Sequence, residues 1–246
     1  MMKAYMKHFL LLALIFVAAT ASSSNVPQQN TTVPNDYKSA VKAFLKASDY
    51  EQSLRDNLRS LFAQMGSENQ QVNGLIDYLA NEMPNRMVDV YYKYLTIDDI
   101  NQLTEINKDV VYAKFRNLQS QVNNDLILEG QCYATGKPSP LAKITVPSAF
   151  EKVMKHYFKV TEFEKQEEQM RSVMGLNIDD ALYNQLPDLM VKIYSKYFTQ
   201  SEIEKLIELH QLPSTVKFRK KAPEIAQDTM DVTQTIIMNY LQNVGF

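Results

Sequence analysis

The chain is poor in the residues that crosslink a fold, stack on bases or form tight loops. Its 246 residues include one cysteine, no tryptophan and only six glycines. A single cysteine excludes an intramolecular disulfide, so the packing of apolar side chains has to stabilise the fold. So few glycines also leave no Gly-rich phosphate loop and no Gly-x-Ser-x-Gly nucleophile turn.

The charge of the chain argues against one class of partner. The formal net charge is −2 and the isoelectric point is near 6.0. Nucleic-acid binding usually needs a basic face that neutralises phosphates. We therefore predict no nucleic acid among the partners.

The N-terminus has the order of segments found in a secretory signal peptide. Lys3 and Lys7 come before the apolar run from Phe9 to Ala19, and a small-residue cleavage site ends at Ala21. This order predicts that residues 1–21 are a cleaved signal peptide and that the protein is periplasmic or secreted. The apolar run is shorter than the roughly 20 residues of a membrane-spanning helix. We predict no transmembrane segment.

The mature chain is predicted to begin with a disordered tail and then to be helical throughout. Residues 22–36 are polar and contain Pro27 and Pro34, a composition that cannot bury apolar surface. From Tyr37 onwards, apolar residues recur at the three- and four-residue spacing of amphipathic helices. We predict an all-α fold.

An internal repeat is the most informative feature of the chain. Residues 91–100 (YYKYLTIDDI) return as residues 194–203 (YSKYFTQSEI), an offset of 103 residues. The same offset relates residues 114–116 (KFR) to residues 217–219 (KFR). A repeat of this length indicates that one helical unit was doubled.

The repeat sets the predicted domain organisation. We predict two tandem related helical units packed as a helical bundle, the first at 37–125 and degenerate, the second at 149–246. Residues 126–148 contain Gly136, Pro138, Pro140 and Pro147 and are predicted to be the linker between them.

Several helix starts are predicted from a hydroxyl residue followed three positions later by an acidic residue. In this spacing the hydroxyl and the carboxylate each accept a hydrogen bond from a free backbone N–H group of the first turn. The predicted caps, in the two copies, are Thr96 with Asp99 and Thr199 with Glu202, and Ser48 with Glu51 and Thr161 with Glu164.

The second copy resembles the DUF2059 family of exported bacterial helical proteins. The residues that carry the resemblance are Tyr194 to Ile203, followed by Leu206, Pro213 and Lys217-Phe218. The first copy is a degenerate version of the same pattern, so the chain is expected to hold two tandem copies. The resemblance implies export and an all-helical fold, and it implies no reaction.

Catalytic chemistry has few candidate residues. Downstream of the predicted signal peptide the only histidines are His156 and His210, and neither has the ligand spacing of a metal site. Cys132 has no basic neighbour in sequence that would activate it as a nucleophile. We predict that the protein is not an enzyme and that it has no cofactor and no metal.

The tyrosine-rich segment of each copy is the candidate binding site. Tyrosine pairs recur three residues apart with a lysine beside each pair, and such a pair either packs in the core or presents phenols to a ligand. The candidate binding residues are Tyr91, Tyr94, Tyr194, Tyr197, Lys93 and Lys196. The basic run from Lys217 to Lys221 is an alternative surface for an acidic partner or for lipid headgroups.

Two functions are compatible with these patterns. The first is an exported interaction module that binds a protein or cell-envelope component at the tyrosine-rich segments. The alternative is a carrier for a small amphipathic ligand, which would need an enclosed apolar cavity.

Overall fold

The computed structural model describes residues 32–64, 66, 69–165 and 180–243. The predicted signal peptide and most of the predicted tail lie outside these residues. The main helices are α1 (Asn35–Ala47), α2 (Tyr50–Gln64), α3 (Gln70–Tyr92), α4 (Ile97–Lys108), α5 (Val110–Thr135), α6 (Ser148–Thr161), α7 (Asp180–Tyr197), α8 (Gln200–Gln211) and α9 (Pro213–Asn243), with a short 3-10 helix at Pro140–Lys143. The described residues contain no strand, which confirms the all-α prediction.

The helices form two compact units that do not follow the order of the chain. Unit 1 contains the helices up to Asn107 together with α9, which begins at Pro213. Unit 2 is the continuous stretch from Lys108 to Leu212, with helices α5 to α8. The last helix of each predicted repeat therefore lies in the unit built from the other repeat. We call α5 the closing helix of unit 2 and α9 the closing helix of unit 1.

The core of unit 1 is arranged around α3. This helix packs against α1, α2 and α9, and its apolar positions face them at helical spacing, with Ile76, Ala80 and Val90 almost fully buried. The phenol of Tyr37 on α1 donates a hydrogen bond to the carbonyl oxygen of Leu95 at 3.1 Å. That bond ties α1 to the turn after α3, which is where the candidate residues of the first copy lie.

The core of unit 2 is built in a similar way. Helix α8 packs against α6 and α5, and α5 also packs against α7. Met154, Ile193, Ile203 and Leu206 have no exposed surface. The connection from α5 to α6 is held down as well, because the backbone N–H of Leu141 donates to the buried Glu129 carboxylate at 3.2 Å.

Two of the predicted helix caps are wrong. Ser48 follows the last residue of α1, and its hydroxyl donates back to the carbonyl of Leu45 at 3.0 Å. Thr161 ends α6, and its hydroxyl donates to the carbonyl of Tyr157 at 2.9 Å. Both residues therefore lie at helix C-termini.

The chain leaves these two helices through a left-handed residue. Asp49 has φ 53° and Glu162 has φ 56°, a conformation that commonly terminates helices. Since the two positions are 113 residues apart, as are Ser48 and Thr161, the two copies share this helix end.

Three predicted boundaries also differ from the structure. The linker predicted from residue 126 begins only at Gly136, because α5 continues to Thr135 and ends at this left-handed glycine (φ 63°). The last part of the predicted tail belongs to the fold, since α1 starts at Asn35 and Val33 is buried. The compact units also differ from the contiguous repeats predicted at 37–125 and 149–246, because sequence similarity shows which helices are related and not which helices pack together.

Candidate functional site

The candidate residues of both copies lie where one helix ends and the next begins. Helix α3 ends at Tyr92, and the backbone N–H groups of Tyr94 and Leu95 donate to the carbonyl of Tyr91 at 3.0 and 2.9 Å. In the second copy, the N–H of Phe198 donates to the carbonyl of Tyr194 at 2.8 Å. These bonds hold each tyrosine-rich segment in a fixed turn before the following capped helix.

In unit 1, two of the candidates converge on one carboxylate. The Lys93 ammonium lies 2.8 Å from Oδ2 of Asp228, and the Tyr94 hydroxyl donates to the same oxygen at 3.0 Å. Burial and the Asp228 carboxylate together raise the pKa of Tyr94 to about 12. The phenol is therefore neutral at physiological pH and acts as a hydrogen-bond donor.

In unit 2, the corresponding residues make the same arrangement. The Lys196 ammonium forms an ion pair with Asp125, and the Tyr197 hydroxyl donates to Oδ2 of Asp125 at 2.8 Å. Burial and this carboxylate raise the pKa of Tyr197. Burial alone would lower the pKa of Lys196, but the Asp125 carboxylate outweighs it and raises that pKa.

Each of these clusters joins a repeat to a closing helix. Asp228 lies on α9 and Asp125 on α5, and they are 103 residues apart, the offset that relates the two copies. We call the groups Lys93–Tyr94–Asp228 and Lys196–Tyr197–Asp125 the phenol–lysine clusters. The structure thus brings the lysine and the second tyrosine of each copy together.

The first tyrosine of each pair is a core residue. Tyr91 and Tyr194 are each 5% exposed. The Tyr91 ring lies 6.3 Å from the ring of Phe218 on α9, and the Tyr194 ring lies 6.5 Å from that of Phe115 on α5. Burial raises the pKa of Tyr194 to about 12. Both rings therefore help to hold the closing helices.

Sequence reasoning missed Asp125 and Asp228 of the phenol–lysine clusters. It also missed that the carboxylates of Asp99 and Glu202 bind lysines of the closing helices. Oδ2 of Asp99 accepts from the Thr96 N–H at 2.7 Å and from the Lys217 ammonium. Oε2 of Glu202 accepts from the Thr199 N–H at 2.8 Å, and its Oε1 lies 2.7 Å from the Lys114 ammonium. Helix capping and attachment of the closing helix thus share one carboxylate in each unit.

These shared carboxylates are held in the ionised state. Burial acts to raise the pKa of Asp99 and of Glu202. The lysine ammonium and the hydrogen bonds from the capping threonine outweigh burial, so both pKa values lie below the ordinary range. The offset of 103 residues also relates Lys114 to Lys217 and was the available signal for this pairing.

Cys132 and His210, two side chains considered for catalysis, lie among packed side chains. Cys132 is a free, buried thiol. The His210 ring lies 5.6 Å from that of Tyr157, 6.0 Å from that of Tyr112 and 6.1 Å from that of Phe115. Among the described residues, no group of three or more histidine, cysteine, aspartate or glutamate side chains is arranged to hold a metal ion.

Together the fold and the clusters define an all-helical protein of two units, with α9 closing unit 1 and α5 closing unit 2. Residues 184–242 match the family described as "Uncharacterized protein conserved in bacteria (DUF2059)". The matched segment runs from α7 through α8 and into α9. It thus includes helices of both units.

The other comparisons add one relative. An uncharacterized protein, UU156, from Ureaplasma parvum is 28% identical over 131 residues, which is 47% of this chain and 82% of that protein. No solved structure matches the chain. Within the described part of the chain, no helix combines the length and the apolar character that crossing a membrane requires.

Proposed function

We propose that the protein is an exported, non-catalytic interaction module that binds a protein or another component of the bacterial cell envelope. Residues 37–125 are in this proposal a second, degenerate copy of the DUF2059 sequence. The N-terminal segment of 21 residues supports export, since it has the charge, apolar core and cleavage-site order of a signal peptide.

One observation carries the binding role: the phenol–lysine cluster recurs at the same offset in both units. The lysine side chains are 54% and 32% exposed at Lys93 and Lys196, while the phenol hydroxyls beside them are half-buried. A partly exposed ammonium next to a half-buried aromatic ring suits a ligand that is anionic at one end and apolar at the other. Two such clusters on one chain can engage a repeated or extended partner.

The protonation states favour binding over reaction. The phenols of Tyr94 and Tyr197 are held protonated by burial and by their aspartates. A catalytic tyrosine needs a pKa near the working pH, and these shifts are in the opposite direction. The clusters can therefore orient a ligand through hydrogen bonds and charge.

The test is capture from the envelope of the producing cell by the native chain and by a double variant. Tyr94→Phe with Tyr197→Phe keeps both rings and removes both hydroxyls, each hydrogen bond counting about 0.5 to 1.5 kcal/mol. We expect several-fold weaker capture of the same protein or lipid, identified by mass spectrometry, with a melting temperature within a few degrees of the parent.

A matched control is Tyr92→Phe, which removes a neighbouring phenol hydroxyl that lies outside the clusters. It is expected to capture the envelope component as well as the parent does. Equal capture by the double variant and by the parent would contradict a binding role for the clusters, and the basic face from Lys217 to Lys221 would then be tested in the same way.

A further inference from the structure

The contacts that close unit 1 are the same contacts that close unit 2. Asp99 pairs with Lys217 of α9, and Glu202 pairs with Lys114 of α5. Each residue in one pair is 103 residues from its counterpart in the other. The same correspondence holds for three further pairs: Lys93–Asp228 with Lys196–Asp125, Tyr94–Asp228 with Tyr197–Asp125, and the ring pairs Tyr91–Phe218 with Tyr194–Phe115.

These matching contacts mean that α9 and α5 bind equivalent surfaces, one on unit 1 and one on unit 2. In each unit, the accepting surface presents a tyrosine-rich turn and a capped helix with an acidic third residue. The closing helix presents a lysine, then a phenylalanine, and ten residues later an aspartate, as in Lys217, Phe218 and Asp228. Nothing in these contacts requires that the surface and the helix belong to the same molecule.

Each closing helix follows the preceding helix after a very short connector. One residue, Asp109, separates α4 from α5, and one residue, Leu212, separates α8 from α9. Both are extended, with φ −62° and ψ 133° at Asp109 and φ −60° and ψ 142° at Leu212. Antiparallel packing of consecutive helices usually takes a loop of about two to five residues. A short connector of this kind favours exchange of α9, the closing helix that is separated in sequence from the rest of its unit.

The family match leads to the same conclusion. Residues 184–242 contain the end of one accepting surface, in α7 and α8, and also the closing helix α9. In this chain α9 lies in unit 1 and the surface that precedes it lies in unit 2. The helix α9 of the matched segment therefore closes a unit other than the one that contains its α7 and α8.

We propose that unit 1 is an interaction surface for a second copy of this chain, which supplies its helix α9 in place of the chain's own. Two molecules then exchange their C-terminal helices and form a dimer in which every contact is already present in the closed monomer. Because the contacts are identical, the balance between monomer and dimer is set by concentration against the effective concentration of the tethered helix, about millimolar for a short tether.

Complementary charge reversal in the full chain tests this exchange. One chain carries Asp99→Lys and a second, differently tagged chain carries Lys217→Glu, so each has a like-charged pair when α9 closes its own unit 1. In the exchanged heterodimer both pairs are of opposite charge. After joint unfolding in urea and refolding at about millimolar concentration, we expect native mass spectrometry to show heterodimers in several-fold excess over the statistical share.

The matched control uses unit 2, which is continuous in sequence. Chains with Lys114→Glu and with Glu202→Lys are refolded together in the same way, and they are expected to give no excess of heterodimer because α5 remains with its own unit. Only monomers from the first mixture, or dimers at the statistical ratio, would overturn the proposal.

Refolding of the unchanged chain tests the exchange even if the charge-reversed variants fail to fold. Two differently tagged preparations of the unchanged chain are mixed, unfolded and refolded at increasing concentration. Mixed-tag dimers should increase with concentration, and they should be absent when the folded preparations are mixed without unfolding. Monomers alone at every concentration would refute the exchange. Because no envelope ligand is involved, this result is independent of the proposed binding function.

Discussion

At the residue scale, Thr199 and Glu202 show how one short motif serves two purposes. The Thr199 hydroxyl accepts from the N–H of Glu202 at 3.3 Å, and the Glu202 carboxylate accepts from the N–H of Thr199 at 2.8 Å. The same carboxylate holds Lys114 of the closing helix. Removing one member of the motif therefore affects both the helix start and the attachment of α5.

The first prediction concerns this cap. Thr199→Ala leaves a backbone N–H without its side-chain acceptor and should lower the free energy of unfolding by about 1 kcal/mol. Urea melts followed by circular dichroism measure the loss. Thr235→Ala, which removes an exposed hydroxyl in the interior of α9, is the control and should stay within about 0.5 kcal/mol of the parent. Equal losses in the two variants would contradict the capping role.

The second prediction concerns acid stability. The folded-state pKa values of Asp99 and Glu202 lie below their ordinary values, so these groups contribute stability that is fully present above their unfolded-state pKa, about 4. This stability is lost as the pH falls through the folded-state values. Asp99→Asn combined with Glu202→Gln should therefore lower stability at pH 7 and flatten its decline between about pH 5 and pH 2.

Melting temperatures across this pH range measure the effect. Asp98 and Glu204, which neighbour the shared carboxylates in sequence, provide the matched control as Asp98→Asn with Glu204→Gln. If the melting temperatures of the parent and of the Asp99→Asn, Glu202→Gln variant fell in parallel with decreasing pH, the two shared carboxylates would not control the acid transition.

Sequence spacing predicted some caps correctly and others wrongly, for a physical reason. Thr96 and Thr199 follow the end of one helix and begin the next, as predicted, and the backbone bonds confirm it. Ser48 and Thr161 have the same spacing to an acidic residue, yet the chain turns one residue later at the left-handed Asp49 and Glu162. A hydroxyl can bond the carbonyl behind it or the N–H ahead of it, and the spacing alone does not distinguish the two.

At the scale of elements, α3 and α9 meet at an unusually close approach. A Cβ atom added at Gly74 of α3 would lie 2.6 Å from the Tyr240 hydroxyl and 3.7 Å from the ring carbon that carries it. Tyr240 in turn donates a hydrogen bond to the carbonyl of Gln71 at 3.3 Å. The glycine thus leaves room for a phenol of the closing helix, at the expense of helix propensity.

The third prediction follows from this contact. In a Tyr240→Phe background the obstructing oxygen is gone, so Gly74→Ala should raise the free energy of unfolding by about 0.5 to 1 kcal/mol. In the parent the same substitution should gain less, because the phenol has to move. The four chains form a double-mutant cycle measured by urea unfolding, and additive changes would show that the two residues are not in contact.

The elements themselves were largely predictable. The helical spacing of apolar residues from Tyr37 onwards predicted the all-helical character of the chain, and the offset of 103 residues predicted the relation between the copies. The composition of residues 126–148 was misleading, because Leu126, Cys132 and Tyr133 belong to α5 while the glycine and prolines that suggested a linker begin only at Gly136. Pro84 and Pro187 lie inside α3 and α7, so these prolines do not mark helix boundaries.

At the scale of the whole molecule, helices that belong to one repeat in sequence pack in different units, because each closing helix lies in the unit that contains the other copy. Ile236 belongs to the second repeat in sequence, yet it is 2% exposed in α9, which packs on α3 of unit 1. A defect at this residue should therefore be felt most in the first repeat.

The fourth prediction rests on the packing of α9 against α3 of unit 1. Ile236→Ala deletes buried methyl groups and should destabilise by about 2 to 5 kcal/mol. Native-state hydrogen exchange is expected to speed up in α3 and α1, with little change in α6 of the same repeat. The matched variant Val122→Ala in α5 should speed exchange in α7 and leave α3 unchanged. If Ile236→Ala loosened α6 instead, the assignment of α9 to unit 1 would be wrong.

This partition was not predictable from one sequence. The two copies are similar, so Lys217 suits Asp99 and Glu202 almost equally, and Lys114 does as well. The closing helices are separated from the helices before them by the single extended residues Asp109 and Leu212, whose conformation the spacing of apolar residues does not indicate. For the same reason the sequence assigned no role to Asp125 and Asp228, although each accepts the tyrosine hydrogen bond in its phenol–lysine cluster.

The position of α9 also sets the order in which the protein can fold as it leaves the ribosome. Unit 2 is complete once residue 212 has emerged, whereas unit 1, whose first helices emerge earlier, lacks its closing helix until α9 (Pro213–Asn243) has also been made. Domains usually fold in the order of synthesis, and here that order is inverted. The helices of unit 1 that precede α5 therefore stay incompletely packed, and accessible to chaperones, until α9 has been made.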